Sequence, residues 1–186
     1  MPRLFVVGFA STLNRVKEIL DSHKTKIPGL EIHALQSRQL FENRDIFRDD
    51  DVVICGLHLY EICKDLEIRG HIVPIRVQAG EFISALAEAK RLGPETNLIN
   101  YRKNFLPIDI RSAEQLFNLK IHEHIYDTEI SFRKLVQKLK EEGQISVITN
   151  RIVGKIAEEY GLHFIPLYRD ESTIVAVNIA YNILKA

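Results

Sequence analysis

The clearest feature of this 186-residue chain is how its apolar positions are spaced. Short, β-branched apolar runs recur at residues 4–9, 30–34, 52–55, 72–77, 97–101, 119–122, 145–149 and 164–168. They are nearly continuous in hydrophobicity, as strands covered on both faces should be. Between them the spacing becomes helical. After Ser11-Thr12, the residues Leu13, Val16, Ile19 and Leu20 share one face. Phe82, Ile83, Leu86 and Ala89 form a stripe over 79–92 that stops at Gly93-Pro94. Pro107 suits the first turn of a helix carrying Ala113, Leu116 and Phe117. Asp127-Thr128 caps a helix with Ile130, Leu135, Val136 and Leu139, closed by Gly143. A further helix covers 151–160 and ends at Gly161, and Asp170 or Ser172 caps the last.

Strict strand–helix alternation predicts a parallel α/β architecture with right-handed crossovers. The units average about 23 residues, too compact for a TIM barrel of ~250. Two lobes fit better: a first over 1–75 and a second over 76–171, with the last helix, 172–185, packing back on the first. An internal echo supports this. The order strand, helix, Ile72-Val73-Pro74-Ile75, helix recurs around Phe164-Ile165-Pro166-Leu167. The last helix carries Ile174, Val175, Ala176, Val177, Ile179, Ala180, Ile183 and Leu184, which predicts burial nearly all round and a homodimer contact at its far end. A chain ending on such a helix is expected to continue in a longer natural protein.

Composition narrows the class. Hydrophobic residues make up 46% and charged residues 27%, which excludes a disordered or collagen-like chain. Lys+Arg and Asp+Glu both number 25, so there is no electrostatic footprint for direct nucleic-acid contact or an anionic membrane. Two cysteines make no disulfide framework. The first apolar run is too short for a signal peptide, and none approaches the ~20 residues of a membrane span. A cytoplasmic protein is expected.

Chemistry is sparse. Ligands of parallel α/β proteins sit at the carboxyl ends of strands, where helix amino termini favour anions. Those segments hold Arg76, Arg102 and Arg151, each a fork for a carboxylate or phosphate, and predict a small acidic ligand. The chain has no G-x-G-x-x-G, Walker or G-x-S-x-G motif. His122-Glu123-His124 reads as a solvent-facing pair, not a metal site. Cys55 beside His58 could pair a nucleophile with a base, but a small buried cysteine is the simpler reading. Asp49-Asp50-Asp51 reads as a turn cap that solvates a loop. No cofactor, metal or catalytic residue is called for.

The ordered pieces resemble a known family. Asp50-Asp51-Val52-Val53-Ile54-Cys55-Gly56, then Ile72-Val73-Pro74-Ile75-Arg76-Val77, then Phe82-Ile83-x-Ala85-Leu86-x-x-Ala89, resemble the N-terminal sensor domain of PrpR, the propionate-catabolism regulator. Gly161-Leu162-His163-Phe164-Ile165-Pro166-Leu167-Tyr168, Glu171-Ser172, Ala176 and Ala180 resemble the family's ending. The resemblance implies two flavodoxin-like, chelatase-like lobes with a ligand cleft between them. It implies the receptor region of sigma-54-dependent transcription activators, upstream of AAA+ and DNA-binding modules. The resemblance also implies an acidic effector, since the propionate regulator responds to 2-methylcitrate, a tricarboxylate. Where the family carries an R-G-G-T-like turn, this chain reads Cys55-Gly56-Leu57-His58, so a different acid is expected.

On the sensor reading, the contacts are Ser11, Thr12, Gly56 and His58 from the first lobe. Tyr101, Arg102, Asn104, Thr149, Asn150 and Ser172 come from the second, with Arg76 and Gln78 near the crossing. Two alternatives remain open: a two-lobed enzyme of chelatase or tetrapyrrole-synthase type acting through His58, and a ligand-free dimerisation module.

Overall fold

The computed structural model describes residues 1–23, 26–101 and 106–186. Among these the chain runs β1 (Arg3–Val7), α1 (Ala10–Ser22), β2 (Glu31–Leu35), α2 (Ser37–Glu42), a 3-10 turn (Arg44–Ile46), β3 (Val52–Gly56), α3 (Leu57–Asp65), β4 (His71–Ile75) and α4 (Ala79–Leu92). It continues with β5 (Glu95–Tyr101), α5 (Ile110–Phe117), β6 (Lys120–Tyr126), α6 (Glu129–Glu141), β7 (Ser146–Thr149), α7 (Arg151–Glu159), β8 (His163–Pro166) and α8 (Asp170–Lys185). Among the described residues each strand is followed by a helix and the ladders are parallel, without hairpins.

The strands form two sheets, ordered β2-β1-β3-β4 and β6-β5-β7-β8. The second order is the first shifted by one full set, so the echo in the sequence corresponds to a repeated topology. The chain divides into two compact units: Met1–Arg76 with Ser172–Ala186, and Val77–Glu171. Each unit takes one covering helix from the other's run of strands. α4 follows β4 but packs on β5, β7, β8 and α5. α8 follows β8, yet from Ser172 onward it belongs with the first unit. There His23 Nε2 lies 3.0 Å from Asn178 Oδ1, and its ring sits tilted against Tyr181, centroids 4.5 Å apart.

Packing follows from strand alternation. In the second unit, Leu98, Ile148 and Ile165 meet Phe82 and Leu86 on one face of the sheet. Ile99 and Val147 meet Phe132, Val136 and Ile156 on the other. In the first unit, Phe5, Val7, Val53 and Cys55 pack with Leu40, Phe47, Leu59 and Cys63. Each fully buried large apolar side chain contributes about 1.5–3 kcal/mol.

Four local readings change. α5 starts at Ile110, later than Pro107 implied, because Asp109 is its cap and its Oδ1 accepts the Ser112 N–H at 3.0 Å. α2 has too few residues to show a period and was not visible in the pattern. α8 is not buried all round. Ser172, Ala176, Val177 and Ala180 form its inner stripe, while Ile174 and Ile179 are 37% and 47% exposed. Asp51 does not solvate a loop but is buried at the amino edge of the first sheet. It takes the Arg3 guanidinium at 2.8 and 2.5 Å and the Arg48 N–H at 2.7 Å. The Asp51 hydrogen bond raises the Arg3 pKa further above its ordinary value. Gly70 completes this corner. Its φ is +98°, and a Cβ there would lie 2.6 Å from the Asp51 carbonyl oxygen.

Candidate functional site

The carboxyl edge of the first sheet gathers one set of candidates. Val7 pairs with Cys55, so β1 and β3 end side by side and α1 and α3 start side by side. Ser11 and Thr12 lie in the first turn of α1. Gly56 ends β3 and caps α3 with φ −63°, a conformation open to any residue. His58 is exposed in the first turn of α3, its ring 3.4 Å from where a Gly56 Cβ would stand. Arg76 follows β4 and lies over the Tyr60 ring at 5.8 Å. Ser172, expected from the second lobe, belongs to this unit instead, because it opens the part of α8 that packs with the first sheet's unit, and it is buried there. Cys55 is buried, and its hydrogen bond with Cys63 together with burial pushes its thiol well above the ordinary range. That environment suits a packing residue and not a nucleophile.

The second sheet gathers the rest. Tyr101 ends β5, Thr149 ends β7 and Asn150 caps α7. Asn150 Oδ1 accepts the N–H groups of Ile152 and Val153 at 3.0 and 3.2 Å, and its amide donates to the Tyr126 oxygen at 2.7 Å. Thr149 is buried and donates its hydroxyl to the Ile99 carbonyl at 2.8 Å. Tyr101 meets Tyr126 edge-on at 5.3 Å. Burial raises the Tyr126 pKa, so its hydroxyl keeps its proton near neutral pH. Gln78 caps α4 and receives Glu81 in return: the Gln78 N–H donates to Glu81 Oε2 at 3.0 Å. The other Glu81 oxygen accepts the Arg169 N–H at 2.8 Å, tying this helix start to the loop after β8. Arg102 and Asn104 lie outside the described residues.

Sequence reasoning missed a polar column through the centre of this second sheet. Thr96 and Ser146 share a hydrogen bond of 2.8 Å. Asn97 donates to Gln144 at 2.7 Å and faces His124 Nε2 at 2.9 Å through its oxygen. His122 Nε2 meets Glu95 at 2.9 Å. The His-x-His pair is therefore half-buried and engaged with β5, where a solvent-facing pair was expected. Burial, then the neighbouring His122 and Lys138, hold the His124 pKa below the ordinary imidazole value. The His122 hydrogen bond holds Glu95 below the usual carboxylate range. Among the described residues, no group of His, Cys, Asp and Glu side chains could hold a metal ion.

Asn100 stands apart from this column. It is buried one residue before the end of β5, and its side-chain nitrogen has no hydrogen-bond partner. The signal for it was present in the run Thr96-Asn97-Leu98-Ile99-Asn100. Amides inside a strand covered on both faces need partners, and asking for them would have singled out this segment.

The family model described as propionate catabolism activator matches residues 36–186. The chain belongs to this PrpR N-terminal family. It is thereby the regulatory sensor domain of a transcriptional activator. A crystal structure of an NtrC family transcriptional regulator from Clostridium acetobutylicum matches with a TM-score of 0.67 at 23% identity, covering 100% of this chain and 97% of that one. A carbohydrate transporter from Acidothermus cellulolyticus 11B, solved with myo-inositol, matches with a TM-score of 0.52 at 9% identity, covering 100% and 87%. At these identities both structures establish a shared fold. No curated protein matches this chain. Among its described residues, no helix is long and apolar enough to cross a membrane.

Proposed function

We propose that this domain binds a small organic acid, a di- or tricarboxylate, and reports it by closure of its two units. Ser11, Thr12, Gly56, His58, Arg76 and Ser172 meet the ligand from one side. Gln78, Tyr101, Arg102, Asn104, Thr149 and Asn150 meet it from the other. One observation carries the reading: each sheet ends its central strands at helix amino termini dressed with polar side chains, α1 and α3 in one unit and α7 in the other. Unpaired backbone amides and the helix dipole favour a negative charge there. The transporter structure with myo-inositol supports the use of such an architecture to hold a small polar ligand. The domain works in the cytoplasm by binding and not by catalysis. Closure shifts a population between open and closed forms, so the acid must bind one more tightly. The shift passes to the downstream AAA+ and DNA-binding modules of a longer activator.

Thermal unfolding with succinate, citrate, inorganic phosphate and zinc tests this. Ligand binding to the folded state adds RT ln(1 + [L]/Kd), about 2.7 kcal/mol at a hundredfold excess over Kd. A rise of the melting temperature with one acid is the expected result. Stabilisation by zinc alone would favour a chelatase-like enzyme acting through His58. No response to any probe, with a mass that grows with concentration, would favour a dimerisation module. The exposed Ile174 and Ile179 on α8 are the observation behind that second reading.

A further inference from the structure

We propose that Asn100 is a ligand-reading residue whose side-chain amide donates a hydrogen bond to a carboxylate oxygen of the bound acid. The inference rests on the acid-sensing reading above and adds to it a residue and a specificity. Asn100 sits on the central strand of the second sheet, opposite Ile125 in register. Side chains alternate along a strand, and Leu98 packs under α4 and α5, so Asn100 lies on that same face at the carboxyl edge. Every other buried polar side chain of the central strands in this unit is matched. Thr96 has Ser146, Asn97 has Gln144 and His124, and Thr149 has the Ile99 carbonyl. Among the described side chains of these strands, the Asn100 nitrogen is left without an acceptor.

An amide sealed from water without a partner destabilises the fold, and native interiors rarely keep one. A leucine of similar size would remove the penalty. The position at the strand's carboxyl end is where ligands of parallel α/β sheets bind. A ligand oxygen arriving there meets a donor that has already lost its water. The hydrogen bond then recovers a loss present in the unliganded domain and absent from the liganded one. That difference is what a sensor needs to couple occupancy to conformation. A neutral amide also reads an oxygen acceptor without burying a full charge, which would be far more costly.

The test compares the wild-type domain with Asn100→Leu and Asn100→Asp, using citrate and succinate as probes. Thermal unfolding is read without probe, and calorimetry gives the affinity for each acid. Asn100→Leu is expected to melt a few degrees higher than wild type without probe, because the unpaired donor is gone. It should bind the recognised acid about tenfold or more weakly, the loss of one hydrogen bond to a charged group. Asn100→Asp keeps the shape but sets a carboxylate against a carboxylate, and should abolish the response. If the wild type responds and both variants keep affinity within about twofold, this assignment fails while the acid-sensing reading stands. If no acid stabilises the wild type, the reading and the assignment fall together. If Asn100→Leu does not fold, the affinity of Asn100→Asp decides in the same way.

Discussion

The two units share a strand order and differ in what fills it. In the first, the central strand β1 reads Arg3-Leu4-Phe5-Val6-Val7, and everything after Arg3 is buried and apolar. Among its described residues the buried ion pair is Arg3 with Asp51, at the amino edge, opposite the carboxyl ends where parallel α/β sheets take ligands. In the second, β5 reads Glu95-Thr96-Asn97-Leu98-Ile99-Asn100-Tyr101, with three buried polar residues among the aliphatics. The two units therefore share topology and not chemistry. A dry sheet needs only apolar contacts to hold its register. A polar sheet needs each donor matched, and is thereby able to respond when one of them is met by something new.

The strongest way to break this comparison is at Asp51, the buried carboxylate of the first unit. Asp51→Ala leaves the Arg3 guanidinium with only the Ile46 carbonyl at 2.9 Å and the Arg48 N–H without its acceptor, and should lower stability by about 3 kcal/mol in urea unfolding. A loss under about 1 kcal/mol would mean that the pair is effectively solvated and the contrast between the units overstated. Next is Gly154→Ala in α7. Alanine ordinarily favours a helix by roughly 1 kcal/mol over glycine. Here its Cβ would stand 2.2 Å from the Phe164 ring. Overpacking should win, with a net loss of about 2 kcal/mol by thermal or urea unfolding. Stabilisation instead would show that β8 yields easily to α7.

A smaller effect sharpens the polar column. Thr96→Val alone leaves the Ser146 hydroxyl buried and unmatched, and should cost about 1 kcal/mol. Adding Ser146→Ala should recover most of that loss, and the double-mutant cycle measures the coupling. Additive losses would mean the two hydroxyls do not depend on each other.

The smallest effect is on pH. His124 has a folded pKa below its unfolded value, so the unfolded state binds more protons between the two. Its contribution is complete above the ordinary imidazole pKa and is lost as pH falls from there toward the folded value. Glu95 is depressed too, so its contribution disappears only lower, within the carboxylate range. Urea unfolding at pH 7.5 and 5.5 should show less stability at the acid value, and His124→Gln should flatten the difference. An unchanged slope in His124→Gln would assign the dependence to another group.

The sequence by itself determined the alternation of elements, the parallel class and most helix ends. These depend on interactions within a few residues: the period of burial, a cap such as Asn150 on Ile152 and Val153, a turn glycine such as Gly143. The PrpR resemblance was legible for the same reason, since it rests on local runs in order. What only the tertiary structure decided is partnership across long separations. Arg3 finds Asp51 at 48 positions, Thr96 finds Ser146 at 50, and His122 finds Glu95 at 27. Strand order and register set those meetings, and no local pattern encodes them. The same holds for α8, whose apolar positions look alike in the sequence until packing buries Ala176 and Val177 and leaves Ile174 and Ile179 outside. Asn100 is the sharpest case. A polar residue in a strand is visible to the eye, but its lack of a partner exists only once every neighbour has been placed.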